Sequence, residues 1–165
     1  MKQKERIIVV DDSLDNLNFI RNILMPFYEV YTVNSCDALF NLLAILKPEL
    51  ILLDIEMPNV NGYQTLENLS KINEYKDISA VFLTAKNEDG DEEIGFNLGA
   101  KDYIKKPFKS TNLLKKIELV LSVNRLQNEL RITNENHTKK IAELNAKILS
   151  LELEIKKLIK EKNNS

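Results

Sequence analysis

The sequence predicts an α/β fold, a doubly wound sheet of five parallel strands followed by a long C-terminal helix. Three observations carry this. Short β-branched apolar runs alternate with stretches whose apolar residues recur at spacings of three and four. Each of the short runs ends at a polar or charged residue. Beyond Phe108 there is no glycine, proline or aromatic residue, so that stretch has no helix breaker and no bulky core former.

Arg6–Val10 is the first strand, and it runs into Asp11 and Asp12. Leu14, Leu17, Ile20 and Leu24 mark a helix that stops before Pro26. Tyr28–Val33 is the second strand. Ser35 caps a second helix carrying Ala38, Leu39, Leu42, Leu43 and Leu46, with Pro48 as its limit. Leu50–Leu53 is a buried-type strand ending at Asp54. A turn-rich stretch from Pro58 to Gly62 leads to a third helix on Tyr63, Leu66, Leu69 and Ile72. Ile78–Leu83 ends at Thr84, and Ile94, Phe96 and Leu98 belong to a fourth helix closed by Gly99. Tyr103 and Ile104 form a short fifth strand before Lys105, Lys106 and Pro107, and the last helix starts near Ser110. Strands that each lead into a helix require a parallel sheet covered on both faces.

At 165 residues, 44% hydrophobic and 29% charged, the chain suits one domain with an appendage. We place the domain at residues 1–122 and a helical extension at 123–165. No apolar run is long enough to span a bilayer, and residues 1–6 lack the apolar segment of a secretory signal. One cysteine, Cys36, excludes an internal disulfide and fits a packed helix position in a reducing cytoplasm. With a single histidine as well, a zinc site is not expected. Residues 125–165 carry a net charge of +3 and the first 124 a net of −5, so no nucleic-acid footprint stands out.

In such a sheet, ligands bind beyond the carboxyl ends of the strands, where strand order reverses. We adopt the order 2-1-3-4-5 from known sheets of this type rather than derive it. It makes strands one and three neighbours and gathers Asp11, Asp12 and Asp54 in one small volume. Converging carboxylates need a proton or a cation, and hard oxygen ligands with open water positions suit Mg²⁺. Thr84 and Lys106 end the next two strands.

On Asp11-Asp12, on Asp54 within Leu52-Leu53-Asp54-Ile55-Glu56-Met57-Pro58 with Gly62 beyond, on Thr84-Ala85 and on Lys106-Pro107-Phe108, residues 5–122 resemble the receiver domain of two-component response regulators, a flavodoxin-like fold. The resemblance implies that Asp54 accepts a phosphoryl group from a histidine kinase. It implies that Asp11, Asp12, Asp54 and the backbone carbonyl of Glu56 hold Mg²⁺. Lys106 would pair with the phosphoryl oxygens and Thr84 would hydrogen-bond to one of them. Thr84 and Tyr103 would form a coupled switch in which Tyr103 turns inward, read out on the face of the fourth helix, fifth strand and fifth helix. Glu56 and Lys86 fall at positions that tune phosphoryl lifetime in the family, and the family uses a cis Lys106–Pro107 bond. Such a domain is not an enzyme beyond its own phosphorylation and dephosphorylation.

In the tail, Ile141, Leu144, Ile148, Leu151, Ile155 and Leu158 are spaced three and four apart. With Ile at a and Leu at d, the seam favours a parallel homodimer, with Lys147 facing Glu152 of the partner subunit. Upstream the same register passes through Asn134, Leu130, Gln127, Val123 and Val120. A second register through Val123, Leu126, Leu130, Thr133 and His137 fits equally, with a stutter before Ile141. His137 is thus a polar layer of the coil rather than a kinase-type phosphohistidine. Ala142, Ala146, Leu149 and Leu153 form a second apolar stripe able to dock a helix of a downstream protein. A haloacid-dehalogenase-type phosphatase would need a second Asp where Glu56 stands, and a cap domain. A coiled-coil scaffold with a dead receiver would not retain Asp11, Asp12, Asp54, Thr84 and Lys106 together. The remaining alternatives are the front part, receiver and linker, of a larger hybrid kinase or cyclase, and a coiled-coil adaptor.

Overall fold

The computed structural model describes residues 4–85 and 91–163. The element order is β1 (Arg6–Val10), α1 (Leu14–Leu24), β2 (Glu29–Val33), α2 (Cys36–Leu43), β3 (Leu50–Asp54), α3 (Gly62–Ser70), β4 (Ser79–Thr84), α4 (Asp91–Asn97), β5 (Asp102–Lys105) and α5 (Ser110–Asn163). All strand pairs are parallel, in the order β2-β1-β3-β4-β5. The chain divides into two units, residues 1–124 and 125–165.

The strands alternate their apolar side chains between two cores, because successive side chains point to opposite faces. Ile7, Val9, Leu50, Leu52, Val81, Leu83 and Ile104 face Leu17, Ile20 and Leu24 of α1 and Leu113, Ile117 and Leu121 of α5. Ile8, Val10, Ile51, Leu53 and Phe82 face Leu39 and Leu43 of α2 and Leu66 and Leu69 of α3. The three central strands are therefore apolar on both faces, which is why they read as unbroken runs.

Helix starts follow the side chains that can cap them. Ser13 caps α1 by accepting from the Asn16 N–H, and Ser35 caps α2 through Ala38. Asn61 and Gln64 form a reciprocal capping box on α3. The second helix is shorter than its periodicity suggests. It ends at Leu43, where the Ala44, Ile45 and Leu46 N–H groups turn back on Phe40 and Leu42 carbonyls. Leu46 still packs on the core, so periodicity outlives the helix by a turn. The third helix likewise ends at Ser70, short of Ile72. Gly99 takes a φ of 97°, a left-handed conformation suited to closing α4.

At the amino-terminal end of the sheet, Asn124 of α5 joins two strands. The hydroxyl of the buried Ser79 donates to Asn124 Oδ1 at 2.9 Å, and Asn124 Nδ2 donates to the Glu49 carbonyl at 3.3 Å. Glu49 also accepts from the Arg6 backbone N–H at 2.7 Å. Asn124→Ala strips Ser79 of its acceptor, so we expect a loss of about 1–3 kcal/mol by urea unfolding, with an unchanged slope against denaturant.

The second unit is a helix in which every residue from Leu126 to Asn163 is exposed. Two ion pairs, Arg131–Glu135 at 2.6 Å and Lys140–Glu143 at 3.4 Å, lie along the helix itself. Pairs of that kind contribute only about 0.3–0.5 kcal/mol each.

Candidate functional site

Register alone brings the strand ends together. Val10 of β1 pairs with both Val33 and Leu53, so Asp11 emerges beside the end of β3, and Asp54 pairs with Leu83 one residue before Thr84. Thr84 pairs with Lys105, and the Lys106 N–H donates to the Thr84 carbonyl at 2.7 Å. Four of the five strands thus deliver a polar residue to one edge.

Carboxylate oxygens of Asp11, Asp12 and Asp54 lie within 4.8 Å of one another. Asp11 is fully buried, Asp54 nearly so, and Asp12 is exposed. The Lys106 ammonium reaches into this cluster, 2.8 Å from Asp11 Oδ2 and 3.0 Å from Asp54 Oδ1. Burial pushes the Asp54 carboxyl up from its ordinary range; the Lys106 ammonium opposes this and the Asp11 charge adds to it. Burial acts to lower the Lys106 ammonium, but hydrogen bonds to Asp11 and Asp54 outweigh it and raise it. Lys106 is raised because two buried acids share this single cation, whereas Asp54 is raised chiefly because it is buried.

Three carboxylates against one ammonium leave negative charge uncompensated. Like charges about 4 Å apart repel by about 4 kcal/mol at an effective dielectric of 20. The donor set is all hard oxygen, with one side open to solvent through Asp12, and it fits a small divalent cation of the Mg²⁺ type.

The loop after β3 is shaped around Asp54. The Glu56 backbone N–H donates to the Asp54 carboxylate, while the Glu56 side chain is exposed. The Gly62 N–H donates to the Ile55 carbonyl at 3.0 Å. An added Cβ at Gly62 would lie 2.4 Å from the Asp54 carbonyl oxygen and 2.9 Å from Ile55 Cα. A cavity of about 390 Å³ beside the cluster is lined by Asn16, Phe19, Ile20, Ala85, Lys106, Pro107 and Phe108. The Phe19 and Phe108 rings sit 6.1 Å apart there, and the Lys106–Pro107 peptide is cis.

Thr84 is buried at the end of β4. Tyr103 lies on β5, on the face of the sheet that it shares with Phe82. Its ring is already inside, 4% exposed, 5.3 Å from Phe82 and edge-on to Phe96 at 5.2 Å. Gly95 makes the room, since a Cβ there would overlap the Tyr103 hydroxyl. Lys86 lies outside the described residues. Cys36 is buried in α2.

Two residues of the cluster carry no motif signal. Ser13 donates its N–H to Asp11 Oδ1 at 2.9 Å, and Asn16 Nδ2 donates to both Asp11 oxygens, at 3.0 and 3.1 Å. A polar residue three positions after a cap serine is the only trace of this in the sequence. The cap itself is Ser13, not Asp12, which leaves the Asp12 carboxylate at the cluster.

A parallel sheet of this order, with its acids and lysine at the carboxyl ends of the strands, places the chain among the flavodoxin-like α/β domains. Residues 7–118 match the family described as response regulator receiver domain, and the chain belongs to that family. It is 33% identical over 129 residues to a probable cyclic di-GMP phosphodiesterase of Vibrio cholerae, covering 78% of this chain and 29% of that protein. It is 34% identical over 140 residues to the response regulator SaeR of Staphylococcus epidermidis, covering 84% of this chain and 56% of that protein. The chemotaxis response regulator CheY4 of Vibrio cholerae shares the fold, with a TM-score of 0.67 and 24% identity over 72% of this chain and 99% of that one. The chain thus spans 29% and 56% of the lengths of these two relatives. Among the described residues no helix is long and apolar enough to cross a membrane.

Proposed function

We propose that this receiver is a cytoplasmic phosphorylation switch that takes a phosphoryl group on Asp54 from the phosphohistidine of a histidine kinase. The observation that carries the reading is Lys106 bridging Asp11 and Asp54 beside a third acid. The Asp54 carboxylate oxygen attacks phosphorus in line, the P–O bond forms, and the P–N bond to the donor imidazole breaks. A carboxylate is a weak nucleophile but phosphohistidine is an activated donor, so positioning and charge neutralisation suffice. Asp11, Asp12, Asp54 and the Glu56 carbonyl would hold Mg²⁺, which supplies charge neutralisation at the transferring group. Lys106 turns to the phosphoryl oxygens, and the Thr84 hydroxyl donates to one of them. The product is an acyl phosphate that water hydrolyses, returning the carboxylate. The chain therefore catalyses only its own transfer and dephosphorylation. Intact-mass measurement after incubation with a small acyl phosphate and Mg²⁺ should show one added phosphoryl group, and EDTA should prevent it.

The output is dimerisation or docking through the rod. Six consecutive Ile and Leu positions of the seam are all exposed on the single chain, between 47% at Leu151 and 60% at Leu158. Burying them against a second copy gains about 0.8 kcal/mol per CH₂. Sedimentation equilibrium at micromolar concentration should give a dimer with or without phosphorylation. Truncation after residue 124 should give a receiver that is monomeric when unphosphorylated; a dimer of unchanged affinity would take the rod out of the account.

A further inference from the structure

Asp11 is fully buried, and its carboxylate takes three kinds of donor at once. The Ser13 N–H reaches Oδ1 at 2.9 Å, Asn16 Nδ2 spans Oδ1 and Oδ2 at 3.0 and 3.1 Å, and the Lys106 ammonium reaches Oδ2 at 2.8 Å. The first two come from one short piece of chain. Ser13 caps α1 by accepting from the Asn16 N–H at 3.4 Å, so the cap that starts the helix also aims an N–H and an amide at Asp11. Lys106 stands apart from these two, because it also holds Asp54 at 3.0 Å, on the carboxylate that would react.

A lysine shared by two buried acids cannot meet an arriving phosphoryl group without loosening its hold on them. Withdrawal of the cation from a buried carboxylate is costly when nothing else satisfies that carboxylate. We infer that Asn16 is a positioning residue: its amide, with the Ser13 N–H, keeps Asp11 hydrogen-bonded and fixed in orientation while Lys106 changes partner from the acids to a phosphoryl group. The same amide holds Asp11 at the angle at which it faces Asp12 and Asp54, so it also sets the divalent-cation site. The inference rests on the phosphoacceptor reading above and adds to it a residue outside the family's quoted motifs.

The test uses the full chain. Mn²⁺ binding is followed by electron paramagnetic resonance for the natural protein, Asn16→Leu and Asn16→Gln, with circular dichroism as the measure of folding. Partners that orient a metal-binding carboxylate are worth roughly 10–100-fold in metal affinity. Asn16→Leu should therefore weaken Mn²⁺ binding at least about tenfold, with its near-ultraviolet dichroism intact. At saturating Mg²⁺ it should also slow labelling by a small acyl phosphate, because Lys106 is then Asp11's main partner. Asn16→Gln keeps an amide donor and should recover part of both. Mn²⁺ affinity of Asn16→Leu within twofold of the natural protein would overturn the inference, as would Asn16→Gln being no better than Asn16→Leu. Failure of the natural, folded protein to bind Mn²⁺ would instead overturn the reading of the acidic cluster itself, and the inference with it.

Discussion

Asp54→Asn is expected to abolish phosphoryl labelling altogether, the largest single effect open to any substitution in this chain. The amide keeps the shape of the side chain at the end of β3, but it has no anionic oxygen to attack phosphorus. Asp12 is exposed and Asp11 is saturated by Ser13, Asn16 and Lys106, so neither is placed to substitute. Intact-mass measurement would decide the matter, and labelling of the variant at the natural rate would refute the assignment. The same change should stabilise the fold when no divalent cation is present. The folded-state carboxyl of Asp54 is raised, chiefly by burial, so the native state disfavours its charged form. For a raised acid, stability falls as pH climbs from the unfolded value through the folded one. Removing the charge removes the loss, so the melting temperature of Asp54→Asn at neutral pH in EDTA should exceed that of the natural chain. Added Mg²⁺ should raise the natural protein's melting temperature more than the variant's.

Gly62→Ala should be the most damaging small substitution. The new methyl would sit 2.4 Å from the Asp54 carbonyl oxygen and 2.9 Å from Ile55 Cα, and neither is a flexible side-chain end that can swing away. Either α3 withdraws or the end of β3 moves. The first costs packing of Leu66 and Leu69, and the second displaces the acceptor itself. We expect a loss of about 2–3 kcal/mol, at the upper end for overpacking because the clash is with backbone. The Gly62 N–H bond to the Ile55 carbonyl should weaken too, visible as faster hydrogen exchange at that amide. Unchanged stability and unchanged labelling would show that the loop has slack the structure does not display.

The parts of the fold that could be read from sequence are those where pattern and burial coincide. Strands β1, β3 and β4 are buried on both faces, so their apolar runs are continuous and their ends fall on Asp11, Asp54 and Thr84. Helix ends were less legible, because Leu46 and Ile72 keep the helical spacing while lying in turns beyond α2 and α3. Strand order was adopted, not deduced, since nothing local distinguishes an edge strand from its neighbour except the weaker burial of β2. The acids and lysine stood out because each ends a different strand. Asn16 did not, because an asparagine in the first turn of a helix is an ordinary residue until its amide is seen on Asp11. The inward Tyr103 was also beyond sequence, because the room for its ring is set by a glycine on another element.

The aromatic stack on one face of the sheet has an optical consequence. Tyr63, Phe82, Tyr103 and Phe96 run ring to ring at 5.1, 5.3 and 5.2 Å, and the chain has no tryptophan. All five tyrosines precede Lys109, so the rod is dark in the near ultraviolet. Tyrosine emission and near-ultraviolet dichroism of the intact, unlabelled chain therefore report on the receiver alone, with Tyr103 the most enclosed contributor beside the strand ends. Far-ultraviolet helicity, by contrast, is dominated by the 54-residue α5. Two wavelengths in one cuvette thus separate changes in the receiver from melting of the rod.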